Sequence, residues 1–251
     1  MNKQPLAGLN IVVTRPREQA DYLAQGIRAL GGHAILFPLL TIEPQLDSAA
    51  LRELIARISQ YDLAIFISPN AVRFGLQAIG KLPLTLRLAA VGQGTARALA
   101  VASNQPIIAP HTQFDSEALL ALPELNAVQN LKIVIFRGDG GRELLGDTLT
   151  ARGALVEYAN CYRRNKPATT LDILLTQTLD ALTISSSEAL RNLAEMPKFE
   201  ALRALPLFVP HPRIAAAAQQ FGWQNIINTA SGDDELLSSL VGWSQRNHCS
   251  P

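Results

Sequence analysis

The stretch "KIVIFRGDGGRELL", residues 132–145, joins a short apolar run to a glycine-rich turn and then to a segment with apolar residues at helical spacing. A strand, a tight turn and a helix in this order form the repeating unit of a parallel α/β sheet. The same three parts make a phosphate-binding loop. The stretch therefore predicts a parallel α/β fold, and its turn is a candidate nucleotide-binding site.

This stretch has a duplicate near the start of the chain. "LNIVVTRPREQADYLAQGIRALGGHAILFP" (9–38) aligns without a gap with "LKIVIFRGDGGRELLGDTLTARGALVEYAN" (131–160). Two further pairs are "YDLAIFISPNAVRF" (61–74) with "LDALTISSSEALRN" (179–192), and "LRLAAVGQGTARALA" (86–100) with "LPLFVPHPRIAAAAQ" (205–219). The repeats predict two similar parallel-sheet α/β domains.

Short apolar segments alternate with helical ones along the whole chain. The predicted strands are residues 10–14, 34–38, 62–67, 87–91, 106–109, 132–136, 154–159, 181–185, 206–209 and 225–229. Segments 37–44 and 158–167 are extended and end at a proline, so they are the expected crossings between the domains. Spacing alone leaves open whether the domains are contiguous or interleaved.

Composition narrows the class of protein. Hydrophobic residues make up 48% of the 251 residues and charged residues 17%, which suits a well-buried core. The net charge of +1 argues against a broad nucleic-acid or membrane-binding surface. Cys161 and Cys249 form neither a metal-ligand pattern nor a disulfide framework, which predicts a reducing compartment. With no long apolar run, we expect a soluble cytoplasmic protein.

The glycine-rich turn does not fit a nucleotide site. A Walker loop needs a lysine that "RGDGGRELL" lacks, and a dinucleotide fingerprint needs a third glycine that is also missing. The duplicate turn, "TRPREQAD", contains no glycine. A nucleotide-dependent enzyme is therefore disfavoured.

Six strand-to-helix turns offer a better explanation. Helix N-termini at the carboxyl ends of parallel strands present free N–H groups and attract anions without a large net charge. The turns are 14–17, 68–70, 92–95, 137–141, 185–187 and 211–213. Their expected ligand is a flexible polyanion lying between the two domains.

Twelve residues of these turns are candidate ligand-binding residues. They are Arg15, Ser68, Asn70, Gly92, Gln93, Thr95, Arg137, Gly138, Ser186, Ser187, His211 and Arg213. Ser68 and Ser186 are duplicated N-cap residues, so each is predicted to cap a helix, to contact the ligand, or to do both. Cys161 is interpreted as a packing residue, because strand alternation would point it away from the face of its neighbour Tyr162.

These motifs, in this order, resemble the uroporphyrinogen-III synthase family. The resemblance covers nearly the whole chain through "VVTRPREQADYLAQGIRALGG", "FISPNAV", "AVGQGTARAL", "FRGDGGRELLGDTLTARGA" with "CYRR", "ISSSEALRNL" and "VPHPRIAAAAQQFG". It implies a discontinuous first domain, 1–36 plus 170–251, and a second domain, 43–157. Residues 37–42 and 158–169 would form a two-stranded ladder linker, with the active-site cleft between the domains.

The resemblance also implies an activity. The substrate would be hydroxymethylbilane, a linear tetrapyrrole with eight carboxylates, and the product uroporphyrinogen III of haem biosynthesis. The reaction would be a cyclising dehydration that inverts ring D through a spiro intermediate. Tyr162 matches the family's cleft tyrosine, and its phenol would donate a hydrogen bond to the departing hydroxyl. A packed ladder residue is the structural alternative for Tyr162.

The family implies no cofactor and no metal. Nucleic acid and membrane are not expected partners, and nothing in the sequence demands more than a monomer. A transient contact with the enzyme that supplies the labile substrate is a further expectation. A non-catalytic two-domain protein that binds small anions is the alternative from another class.

Overall fold

The computed structural model describes residues 4–111, 115–140 and 143–248. The chain forms two compact units. Unit 1 takes the chain up to Thr41 and from Asn165 onward, and unit 2 is Ile42–Arg164. Among the described helices, none is both long enough and apolar enough to cross a membrane.

Unit 1 is built on a five-stranded parallel sheet with the order β11-β10-β9-β1-β2. Its strands are β1 (Asn10–Val13), β2 (His33–Leu36), β9 (Ala181–Thr183), β10 (Leu207–Val209) and β11 (Ile226–Asn228). Its helices are α1 (Arg17–Ala29), α7 (Asp172–Leu175), α8 (Ser187–Ala194), α9 (Pro212–Gln220) and α10 (Asp233–His248).

Unit 2 is built on a six-stranded sheet with the order β3-β8-β7-β4-β5-β6. Its strands are β3 (Thr41–Pro44), β4 (Leu63–Phe66), β5 (Arg87–Ala90), β6 (Ile107–Ile108), β7 (Lys132–Gly138) and β8 (Leu155–Asn165). Its helices are α2 (Ala49–Ala56), α3 (Pro69–Ile79), α4 (Gln93–Ala102), α5 (Ser116–Leu120) and α6 (Leu144–Ala151). Strands β4 to β8 pair in parallel.

All ten predicted strands are present, each within one or two residues of its predicted start. The eleventh, β3, was predicted only as extended chain. It overlaps the end of the first proposed linker segment, 37–42, and β8 continues into the second, 158–169. The two-stranded linker itself stays a prediction.

The repeated segments of the sequence form strands at equivalent positions in the two sheets. The strand matched to β1 is β7, and the strand matched to β9 is β4, so both sheets follow one strand order. A detail repeats with them: the Asp180 carboxylate accepts the Asn10 N–H at 2.7 Å, and the Asp62 carboxylate accepts the Lys132 N–H at 2.7 Å. Each aspartate thus fixes the start of the neighbouring central strand.

These matched aspartates give a stability prediction. The Asp180 bond is partly buried whereas the Asp62 bond is exposed. Removing a hydrogen bond to a charged group costs about 1.5–3 kcal/mol where water cannot replace it. We expect Asp180→Ala to lower the free energy of unfolding by about 1.5 kcal/mol or more, and Asp62→Ala to lower it less. Urea unfolding followed by circular dichroism measures both, and equal losses would contradict the burial argument.

Each sheet is covered on both faces, which explains why the central strands are continuous apolar runs. Within β7, Val134 and Phe136 face one core together with Phe66, and the rings of Phe66 and Phe136 stack with centroids 4.7 Å apart. Ile133 and Ile135 face the other core, beneath α6. This alternation fixes which turn residues emerge at the carboxyl edge of the sheet.

Candidate active site

The six predicted turns lie at the carboxyl edges of the two sheets. Parallel pairing places three of them on one edge of unit 1 and three on one edge of unit 2. Those of unit 1 follow β1, β9 and β10, and those of unit 2 follow β4, β5 and β7. Gly141, at the end of the last turn, lies outside the described residues, as does Cys249.

The strand order of unit 2 identifies one position on its edge as the natural crevice. From β4 the chain continues outward to β5, whereas from β7 it continues to β8 on the other side. Open α/β sheets bind ligands at such a switch point, outside the carboxyl ends of the strands. Ser68 follows β4 here, and Gly138 ends β7. In unit 1 the corresponding switch lies between β1 and β9.

Tyr162 lies at the switch point of unit 2. Its side chain is 2% exposed, and its hydroxyl is 3.1 Å from the Ser68 Oγ. The ring packs against Phe74, with centroids 5.9 Å apart. It also covers Gly138, where an added Cβ would lie 2.5 Å from the Tyr162 Cε2. Gly138 therefore serves to make room for the tyrosine ring.

A β-bulge decides which way Tyr162 points. Arg137 pairs with Asn160 and Gly138 with Tyr162, so Cys161 is the extra residue. As a result Cys161 and Tyr162 both belong to the core that contains Ala159. The expectation that these neighbours face opposite sides of the sheet is wrong, because strict alternation does not hold across a bulge.

Cys161 is a packing residue, as predicted, although strand alternation is not the reason. The side chain is fully buried, and its Sγ lies 3.5 Å from the Arg137 carbonyl oxygen and 3.8 Å from the Ala71 carbonyl oxygen. Burial raises the pKa of the Cys161 thiol to about 12. The thiol therefore stays protonated near neutral pH and is a poor nucleophile.

The duplicated serines cap their helices in the same way. Ser68 Oγ accepts the Ala71 N–H at 3.1 Å at the start of α3, and Ser186 Oγ accepts the Ala189 N–H at 3.0 Å at the start of α8. The Ser68 hydroxyl has the additional contact with Tyr162. Both serines thus cap their helices, and Ser68 in addition contacts a phenol.

The third turn of unit 1 is capped by His211, whose Nδ1 accepts the Arg213 N–H at 3.0 Å. His211 and Arg213 are both exposed. Ser187 Oγ is buried and has no hydrogen-bond partner among the described residues.

In unit 2, Gly92 is the N-cap of α4 and Thr95 is 4% exposed within its first turn. Two further candidates, Gln93 and Asn70, occupy the first turns of α4 and α3.

The two matched arginines have different surroundings. Arg15 forms an ion pair with Asp233 at the start of α10. Arg137 is 4% exposed, and its guanidinium lies 4.6 Å from the centre of the Tyr158 ring. Its Nη1 is 3.6 Å from a Glu143 carboxylate oxygen. Arg15 is thus neutralised by an internal partner, whereas Arg137 is held at the edge of the sheet by an aromatic face.

Gln45, a residue of this edge, was missed by the sequence analysis, and its partner Asp139 was interpreted as a helix cap, whereas the residue before α6 is Glu143. With its amide nitrogen toward the turn, the Gln45 side chain donates to the Asp139 carboxylate at 2.7 Å. The Gln45 N–H donates to the Cys161 carbonyl, and the Asp139 N–H donates to the Tyr162 carbonyl, both at 3.0 Å. Together they tie the turn after β7 to the bulged part of β8. No local pattern marks Gln45, which is far from its partners in the sequence.

No group of three or more His, Cys, Asp and Glu side chains that could hold a metal ion occurs within the described parts of the chain. What the edges do offer are helix N-termini, hydroxyls and one aromatic-supported guanidinium. Fold and site thus define an α/β protein with two sheets of matching strand order, each presenting anion-attracting turns at its carboxyl edge.

The comparisons with known proteins give the family. The model of the family described as Uroporphyrinogen-III synthase HemD matches residues 21–237. The chain belongs to the uroporphyrinogen-III synthase family. It is 35% identical to the uroporphyrinogen-III synthase of Salmonella typhimurium and 34% identical to that of Escherichia coli, each over 241 residues, 91% of this chain and 98% of the relative.

Solved structures agree on the fold. A mutant uroporphyrinogen III synthase from Thermus thermophilus superposes with a TM-score of 0.61 at 22% identity, over 95% of this chain and 98% of that one. The Helicobacter pylori uroporphyrinogen-III synthetase gives 0.59 at 14% identity, over 92% and 98%. At these identities the likeness shows the two-domain α/β fold, as the sequence predicted.

Proposed function

We propose that this chain catalyses the uroporphyrinogen-III synthase reaction, the cyclising dehydration of hydroxymethylbilane to uroporphyrinogen III. The proposal draws on the family to which the chain belongs and on the chemistry of its sheet edges. The Tyr162–Ser68 hydroxyl pair, 3.1 Å apart at the switch point of unit 2, is the observation that supports this location of the active site.

The hydroxyl pair can donate in either direction, because Ser68 Oγ accepts the Ala71 N–H and keeps a second lone pair. The proposed mechanism uses the arrangement in which the Ser68 O–H donates to the Tyr162 oxygen. The Tyr162 proton is then available to another acceptor. In this arrangement Tyr162 is the proton donor and Ser68 the residue that orients it.

The chemistry follows from this donor. The bond between the terminal methylene and its hydroxyl breaks, pushed by the pyrrole nitrogen electrons, and the oxygen leaves as water with the proton given by Tyr162. The freed methylene bonds to a substituted carbon of the last pyrrole, and rearrangement through the spiro intermediate inverts ring D. The proton lost on closure restores the tyrosine, so the net change is loss of one water. General-acid assistance of this kind is worth about 10²–10⁴ in rate.

The remaining candidates bind the substrate's carboxylates. The Ser186 hydroxyl, the backbone N–H groups of 92–95 and the guanidinium of Arg137 are donors suited to acetate and propionate arms. The binding energy positions a flexible chain so that its ends can react, and positioning supplies a large part of catalysis in such closures. Arg15 contributes less in this scheme, because Asp233 already neutralises it.

Isomer analysis tests the function directly. Freshly made hydroxymethylbilane is supplied to the protein, and the uroporphyrin isomer is identified after oxidation. Type III is the expected product. Type I alone, which arises by spontaneous closure, would overturn the proposal.

The matched serines provide a sharper prediction about Ser68. Ser68→Ala and Ser186→Ala should each lower the free energy of unfolding by about 1 kcal/mol through the lost cap. Only Ser68→Ala removes a hydrogen bond to Tyr162, so its kcat should fall by about tenfold, the equivalent of one hydrogen bond of roughly 1.4 kcal/mol. Steady-state kinetics beside thermal unfolding of both variants measures this. Equal kcat values in the two variants would show that Ser68 is a cap alone.

The finer expectations remain part of the proposal. We place the enzyme in the cytoplasm, as a monomer that needs no cofactor. Its labile substrate would be received from the preceding enzyme through a transient contact. Cross-linking during turnover, and sedimentation of the free protein, test the contact and the oligomeric state.

A further inference from the structure

We propose that Tyr158 positions the Arg137 guanidinium as a carboxylate-binding group, and that Glu143 is an internal carboxylate which the substrate displaces from it. The inference rests on the proposed function and adds to it two residues, Tyr158 and Glu143, that neither the sequence motifs nor the turn geometry singled out. The affinity of Arg137 for a substrate carboxylate then depends on how strongly Glu143 competes for it.

Arg137 is prepared for an anion. Its side chain is only 5% exposed, and its Nε donates weakly to the Gly138 carbonyl oxygen at 3.4 Å. The Nη1 contact with Glu143, at 3.6 Å, is an ion pair longer than a hydrogen bond. A guanidinium fork prefers two parallel hydrogen bonds to one carboxylate. None of the described contacts of Arg137 is such a pair of hydrogen bonds to one carboxylate.

Tyr158 holds the guanidinium in place. The Arg137 Cζ lies 4.6 Å from the centre of the Tyr158 ring, within the range of a cation–π contact. The tyrosine lies over Gly146 in α6, and its hydroxyl is 3.5 Å from the Glu143 carbonyl oxygen, which is longer than an ordinary hydrogen bond. An added Cβ at residue 146 would overlap the Tyr158 hydroxyl. The glycine therefore admits the tyrosine that supports the arginine.

Glu143 is a weakly held competitor. Its side chain is 63% exposed, so water screens most of its attraction to Arg137. It is the residue before α6, and its side chain makes no capping hydrogen bond there. Releasing it therefore breaks no cap. An incoming carboxylate that binds both nitrogens of the fork replaces a long contact with two short ones.

The test uses uroporphyrin III, an octacarboxylate that cannot undergo the closure, and measures its Kd by fluorescence titration. Glu143→Gln removes the competitor and should tighten binding by about two- to five-fold, the equivalent of a screened ion pair. Tyr158→Leu removes the aromatic support and should weaken binding by about five-fold or more. Tyr158→Phe keeps the ring and should bind within about two-fold of the parent.

Two controls isolate the effect. Glu124→Gln removes an exposed carboxylate elsewhere in unit 2 and should leave the Kd unchanged. The product isomer formed by the parent protein is measured in parallel, so failure of the synthase assignment is seen separately from failure of the carboxylate site. An unchanged Kd in Glu143→Gln, or equal weakening in Tyr158→Leu and Tyr158→Phe, would overturn the proposal. Glu143→Gln is a surface change, so the test does not depend on how Tyr158→Leu folds.

Discussion

Tyr162→Phe is expected to fold like the parent and to lose about 99% or more of its turnover, as loss of a general acid predicts. The substitution keeps the ring that packs against Phe74 and over Gly138. It removes only the hydroxyl that meets Ser68 at 3.1 Å. Stability should therefore fall by about 1 kcal/mol, the net value of one hydrogen bond. The measurements are kcat for consumption of hydroxymethylbilane and the unfolding midpoint in urea.

The matched control is Tyr158→Phe, which removes a second phenol from the same strand. In the proposed scheme Tyr158 supports Arg137 through its ring, so this variant should retain kcat. Turnover in Tyr162→Phe equal to that of the parent would remove the acid role and leave Tyr162 as a packed ladder residue.

Gly138→Ala is expected to lower both stability and activity. The added Cβ would lie 2.5–3.0 Å from three atoms of the Tyr162 ring, which is buried and cannot move outward. Overpacking of this kind costs about 1–3 kcal/mol. Displacing the phenol from Ser68 by about 1 Å should lower kcat by roughly 10². The urea midpoint and kcat of the same preparation measure the two effects.

Gly242→Ala is the matched control. It adds the same methyl group to α10 of unit 1, where the new Cβ would meet only the flexible end of Arg246 at 3.5 Å. Because alanine is the better helix former, this variant should gain about 0.5–1 kcal/mol and keep its turnover. If Gly138→Ala instead behaved like Gly242→Ala, the close approach of Tyr162 to the backbone would not be needed for catalysis.

The sequence predicted much of the fold because its signals were local. Apolar runs predicted ten of the eleven described strands, and Ser68 and Ser186 were recognised as caps from the residues around them. The repeat predicted two similar domains, and the structure adds that their sheets share one strand order. Strand β3 had no such signal: its four residues, "TIEP", are too short and too polar to stand out from extended chain.

The candidate site was less completely predictable. Arg15 and Arg137 are equivalent in the repeat, but one is neutralised by Asp233 and the other lies over Tyr158. Asp233 is far from Arg15 in the sequence, whereas Tyr158 contacts Arg137 from the neighbouring, bulged strand β8. A sequence motif identifies a charged residue. Whether that residue can bind a ligand depends on the partners that already neutralise its charge in the folded protein.

By itself the sequence determined the class of fold, the duplication and the edges on which anion-attracting turns lie, because strand and helix periodicity are properties of neighbouring residues. Only the tertiary structure decided that Tyr162 turns toward Ser68. That choice depends on one extra residue in β8, opposite a glycine of β7, and pairing register between strands is set by packing across the whole sheet.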